Sequence, residues 1–143
     1  MKIQILTATA LLGLSLQTVV LAQDNPLPAG FTAQPLLKSG VTRDNEPFVY
    51  PGGKPEMISV IGTLEVNGRT ALHAHPIPVY VYVLEGEIEL RTDGKQAQRY
   101  KAGDAFIESQ NHKHQAFNVA NGPTRLLVVF VGEAGKPTTI AAQ

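Results

Sequence analysis

Between Met57 and Val131 the chain is cut into short apolar runs by tight-turn signals: Asn67-Gly68, Glu85-Gly86, Asp93-Gly94, Ala102-Gly103-Asp104 and Asn121-Gly122-Pro123. Glycine and asparagine accept the positive φ that such turns require, and proline fixes φ in advance. The runs between them are rich in β-branched and aromatic side chains, which suit a pleated surface. They predict strands over Met57–Val66, Thr70–His75, Val79–Leu84, Glu87–Arg91, Gln96–Tyr100, Ala105–Ile107, His114–Val119 and Leu126–Val131. No stretch after Gly30 has helical periodicity with caps. About eight short strands at this spacing predict an all-β fold, an antiparallel sandwich or jelly-roll barrel whose residues alternate between core and water. In Glu87-Ile88-Glu89-Leu90 that alternation sends Ile88 and Leu90 inward and leaves both glutamates on a solvated face.

The 143 residues suit one domain with a modest core. Residues 23–56 are rich in Pro and Gly, as in DNPLPAGF and PFVYPGGKPE, and have little period. They predict an extended N-terminal arm, with short extended pieces at Leu36–Lys38 and Phe48–Tyr50, laid along a barrel domain of residues 57–143. Twelve basic and twelve acidic side chains cancel, and no basic cluster occurs, which argues against a nucleic-acid partner. A small-molecule ligand or a second copy of the chain is expected instead.

Residues 1–22 read as a signal peptide: Lys2, then a run without charge, then Val20-Leu21-Ala22 before Gln23. Cleavage is expected after Ala22, leaving no stable membrane anchor and an exported protein, periplasmic or secreted. The other reading is an uncleaved transmembrane anchor, against which Thr7, Thr9, Ser15, Gln17 and Thr18 dilute the run. An exported chain without a single cysteine must be held by its core, by association or by a metal.

The chain has four histidines, in two His-x-His pairs: His73 with His75, and His112 with His114. On a strand, a His-x-His places both rings on one face about 7 Å apart, close enough to share an ion. A lone strand histidine is usually a passenger, but two such pairs in a chain without any other histidine point to metal binding.

The segments Gly68–Gly86 and Gly103–Asn118 resemble the two motifs of the cupin superfamily, whose fold is a small β-barrel. Gly68, His73, His75 and Gly86 fit the first motif, although Gly68 lies one residue closer to the histidines than is usual. Gly103, His114 and Asn118 fit the second, with Ser109 and Asn111 where proline and glycine are common. The resemblance implies that His73, His75 and His114 point inward and hold one divalent transition metal, with Fe, Mn, Zn, Ni and Cu all compatible with imidazole. It also implies a homodimer. The motif's glutamate falls on Val79 or Tyr80, neither of them an acid. The implied parity sends Val79, Val81 and Val83 inward and Tyr80 and Tyr82 outward.

Two residues are candidates to replace that glutamate. Glu108 stands in the apolar stretch FIESQNHKH, where a buried acid is costly unless it meets a cation. It could be a weak fourth ligand or a catalytic general base, or else a loop-edge acid in water. His112 shares strand parity with His114 and is expected at the rim, as a ligand or as an exposed loop histidine. A pocket lined by Val79, Val81, Phe106 and Phe117 would suit a small, partly apolar molecule. Two functions remain open: a metal-dependent, dioxygenase-like oxidoreductase, or a noncatalytic module that binds a small ligand or the metal.

Overall fold

The computed structural model describes residues 29–142; the expected signal peptide over residues 1–22 lies outside them. The chain divides into a short unit of residues 1–33 and a compact unit of residues 34–143, and the fold below belongs to the second.

Nine strands follow one another among the described residues: β1 (Pro55–Leu64), β2 (His73–Ala74), β3 (Val79–Glu85), β4 (Glu87–Thr92), β5 (Gln98–Lys101), β6 (Ala105–Ile107), β7 (His114–Asn118), β8 (Thr124–Glu133) and β9 (Ile140–Ala141). They form two antiparallel sheets, ordered β1-β8-β3-β6 and β5-β4-β7-β2-β9, so the chain shuttles between layers as in a jelly roll. The core lies between the sheets. Val79, Val81 and Val83 from β3, with Phe106 and Leu126, meet Ile88, Leu90 and Ala116 from the other layer. Burying each of the larger side chains stabilises the fold by about 1.5–3 kcal/mol. Tyr80 and Tyr82 alternate outward as the parity requires.

The turn between β3 and β4 needs its glycine. Gly86 has φ +79°, and a Cβ there would lie 2.9 Å from the Thr124 Cα. Thr124 is itself fixed, donating its hydroxyl to Asn118 Oδ1 at 2.8 Å. The motif asparagine is thus a structural clamp: its Nδ2 donates to the carbonyls of Leu64, Glu65 and Gly122, each at 2.9 Å.

The structure refines the local expectations. The strand expected over Thr70–His75 shrinks to His73–Ala74, because the chain bends at Leu72 after the isolated Arg69–Phe117 bridge, and Pro76 offers no N–H beyond His75. The extended pieces at Leu36–Lys38 and Phe48–Tyr50 join neither sheet; between them the chain turns through the Val41–Pro47 bridge, and Val49 exchanges hydrogen bonds with the Gln110 side chain. Strand β9 was not expected, since a two-residue strand after Pro137 has no periodic pattern.

The arm docks through polar groups. Arg43 N–H donates to the Ile107 carbonyl at 2.8 Å, continuing past the edge of β6. Its buried guanidinium donates to Thr92 Oγ1 at 2.7 Å, the Gln96 carbonyl at 2.9 Å and Gln98 Oε1 at 3.2 Å. Every direction of the buried fork meets an acceptor, as a desolvated charge requires.

Candidate metal centre

His73 and His114 are register partners across β2 and β7, so the ladder alone brings two imidazoles from distant segments together. His75 follows as β2 ends, where the chain bridges to Gln110. Glu108 follows β6, and its N–H donates to the Val79 carbonyl at 2.9 Å. The acid therefore stands across the ladder from the position where the motif would carry its glutamate.

One ligand atom from each of His73, His75, Glu108 and His114 lies within 4.8 Å of all the others. His73 Nε2 is 3.1 Å from His75 Nε2. Glu108 Oε2 is 3.1 Å from His75 Nε2 and 3.6 Å from His114 Nε2. An ion about 2.1 Å from each donor leaves neighbouring donors roughly 3 Å apart and opposite ones roughly 4.2 Å apart. The quartet has that size.

The ring orientations also fit an ion. Each Nδ1 faces a backbone carbonyl: His73 meets Ala71 at 2.7 Å, His75 meets Thr138 at 2.7 Å, and His114 meets His112 at 2.9 Å. A carbonyl only accepts, so each Nδ1 carries hydrogen and each neutral ring turns a bare Nε2 lone pair inward. Three such lone pairs facing one another repel unless a cation or a proton lies between them. The buried His114 Nε2 has no hydrogen-bond partner, and a buried polar atom of that kind is one that an ion could satisfy.

The electrostatics agree. Burial opposes ionisation of Glu108, yet His114 and His75 outweigh it and bring its pKa down from 4.5 to about 2. Burial likewise lowers the pKa of His114, but the Glu108 carboxylate more than compensates and the net shift is upward. Burial, aided by the neighbouring imidazoles, lowers the pKa of His73. An anion buried among imidazoles is a charge pattern that a divalent cation completes.

His112 does not join the cluster. Asn111 turns the chain with φ +64°, and the His112 ring swings out to Glu46, Nε2 to Oε2 at 2.8 Å. The ring serves the arm, while its carbonyl orients His114. Phe117 does not line the pocket either. Alternation from His114 puts Ala116 and Asn118 inward and leaves Phe117 outside under the Arg91 guanidinium, 4.2 Å from its centroid.

The cavity at the cluster measures about 150 Å3 and is lined by Val81, Ile88, Leu126, Val128 and Phe130, among others, with Thr70 and Thr139 as its remaining polar groups. Of the wall residues expected, Val81 is the one that lines it; Val79 is packed in the core and Phe106 stacks on Tyr100 at 3.9 Å. A cleft of about 350 Å3 lies along Pro51, Pro76, Ile77 and Pro137, but its charged residues, Glu133 and Lys136, satisfy each other at 2.8 Å. The smaller cavity carries the chemistry. The carbonyls of Ala71, Thr138 and His112 were missed from the sequence, because backbone acceptors leave no signature there.

Residues 60–130 match the model of the family described as Cupin domain. With its two antiparallel sheets, the chain belongs to the cupins. No curated protein sequence matches it significantly. Among solved structures it is similar to the oxalate decarboxylase of Lactobacillus farciminis, with a TM-score of 0.52 and 19% identity over 59% of this chain and 26% of that one. It is similar to the DMSP lyase DddQ of Ruegeria pomeroyi, with a TM-score of 0.52 and 20% identity over 60% of this chain and 43% of that one. A conserved protein with a double-stranded beta-helix domain from Klebsiella pneumoniae gives a TM-score of 0.52 and 24% identity over 66% of this chain and 85% of that one. The chain thus spans about a quarter of the decarboxylase and under half of the lyase. At these identities the likeness is one of fold.

Proposed function

We propose that this cupin binds one divalent metal through His73, His75, His114 and Glu108 and acts as a metal-dependent oxygenase on a small molecule. The observation that carries the reading is the convergence of three Nε2 atoms, each with its Nδ1 committed to a carbonyl, on the Glu108 carboxylate. Three imidazoles suit Fe, Zn, Ni and Cu, and the carboxylate oxygen extends the set to Mn(II). A similar structure, the oxalate decarboxylase of Bacillus subtilis, 20% identical, is described for its Mn(II) centers.

When bound, the ion supplies Lewis acidity and coordination positions beyond the four protein donors. The protein's own part is positioning and exclusion. Glu108 offsets one of the two metal charges and acts as fourth ligand, so it is not a free base. The hydrocarbon wall keeps bulk water from the reacting atoms. At about 150 Å3 the cavity admits a molecule of only a few non-hydrogen atoms, such as a small hydroxy acid. No arginine or lysine is among the lining residues, so an anionic group would find its positive charge at the metal.

The test is metal analysis of the purified protein, followed by oxygen uptake with catechols and small hydroxy acids. Uptake by the metal-loaded protein, and not by the Glu108→Ala variant, is the expected result. Full metal occupancy without uptake would favour a noncatalytic module that holds a small ligand or the ion. That second reading is supported by the absence, among the lining residues, of any acid or base beyond the four metal donors.

Export to the periplasm or the medium after loss of the signal peptide, and pairing of two copies, belong to the same proposal. Pairing through the outer face of the β1-β8-β3-β6 sheet is supported by its register. Ile61, Leu127, Tyr82 and Ala105 form one row, and Ser59, Val129, Tyr80 and Ile107 the next, without a charge in either. An apolar, neutral face of this kind suits isologous packing.

A further inference from the structure

The three imidazoles are not held alike. His73 and His114 each donate to a carbonyl two positions earlier, so each ring is fixed by its own segment. His75 donates to Thr138, 63 positions away, with the Thr139 hydroxyl oxygen a further 3.3 Å neighbour of the same Nδ1. Those two threonines lead into β9, which lies along β2 with Ala74 opposite Ile140 and His73 opposite Ala141. Beyond it, Ala142 N–H donates to the Leu72 carbonyl at 3.1 Å. On its other side β2 has a single register pair with β7, His73 opposite His114. The two-residue strand that carries the first histidine pair is therefore held mainly between the second motif and the C-terminal segment.

We propose that the segment Thr138–Ala142 is a positioning strap of the metal centre: its docking fixes the His75 ring, and its docking and metal binding are coupled. The proposal rests on the metal reading above. With its carbonyl acceptor gone, the His75 ring regains both its tautomer and its rotation, and the loss of such a partner costs roughly 10- to 100-fold in metal affinity. By linkage, the ion holds the strap down by the same factor. The strap is suited to open locally, since β9 is a short edge strand and Ile140 is half exposed. It is also a partition. Thr139 lines the metal cavity, while Pro137 and Ile140 line the larger cleft.

The experiment reads the coupling from both ends. In the full chain, hydrogen exchange of the C-terminal peptide is measured with and without saturating Mn(II), with the β1 peptide as control. Exchange at the C-terminal peptide is expected to slow by about ten-fold or more while β1 changes little. A chain ending at Pro137 is expected to bind Mn(II) roughly 10- to 100-fold more weakly. Unchanged affinity in the shortened chain, or unchanged exchange in the full chain, overturns the proposal. Should the shortened chain not fold, exchange in the full chain decides alone. Should the full chain bind none of Mn(II), Fe(II), Zn(II), Ni(II) and Cu(II), the proposed function fails by itself. The strap is then judged by the imidazole Nδ1–H resonance of metal-free His75, which must be present in the full chain and lost on shortening, while those of His73 and His114 persist.

Discussion

Glu108 and His75 meet at 3.1 Å with both side chains almost sealed from water. With its Nδ1–H committed to the Thr138 carbonyl, His75 turns the opposite ring nitrogen toward the carboxylate, and both atoms face the point where an ion would sit.

Removing the acid should weaken the site without unfolding the barrel. Glu108→Gln keeps the shape and removes the charge, and calorimetric titration with Mn(II) is expected to show a loss on the order of 100-fold. In the native protein, Mn(II) at 100 times its Kd should add about 2.7 kcal/mol of stability. A thermal melt should show an upward Tm shift of several degrees, absent in the variant.

Metal binding should tighten as pH rises. His114, whose pKa is raised above the usual 6.5, must give up its proton when the ion enters. Titration in buffers of different ionisation enthalpy should show proton release at pH below the raised value and its disappearance above it. For the metal-free fold the signs differ by residue. The stabilisation from His114 is complete below 6.5 and is lost as pH rises through its folded value. That from Glu108 is complete above 4.5 and is lost as pH falls toward 2. His73, lowered by burial, loses its contribution as pH falls below 6.5. The site's contribution to metal-free stability should therefore peak near pH 6.5, and urea midpoints across pH measure it.

The arm should prove separable from the centre. Arg43→Met leaves Asp44, Thr92, Gln98 and the Gln96 carbonyl without their buried partner, at a cost of about 3–5 kcal/mol. Urea denaturation should show that loss. Mn(II) affinity measured below the transition should stay as it was, since no ligand or Nδ1 acceptor comes from the arm.

Pairing of copies should depend on the outer sheet face. Ile61→Glu places a charge at the β1 end of an uncharged row, on a strand residue that is half exposed. Light scattering is expected to give a dimer for the native protein and a monomer for the variant, with unchanged far-ultraviolet circular dichroism. A monomeric native protein would remove this proposal.

The barrel was legible because alternation and turn chemistry are local signals: Val79-Tyr80-Val81-Tyr82-Val83 and the Gly86 turn declare their own geometry. The histidines were legible through pairing and motif spacing, and Glu108 through an acid placed among apolar neighbours. Phe117 was misplaced, since alternation from His114 turns it outward. For His112 the structure takes the second of the two readings, a loop histidine, because a left-handed turn at Asn111 carries the ring out to Glu46. The Nδ1 acceptors and β9 could not be read, since they depend on main-chain atoms brought together by the finished fold.

The donor set holds nitrogen and oxygen but no sulfur, and the chain has no cysteine anywhere. Peroxide or dissolved oxygen near the centre thus has no thiolate to convert to sulfenate, and no ligand can be lost to a disulfide. Imidazole and carboxylate donors therefore survive oxidants that would strip a thiolate ligand from an ion.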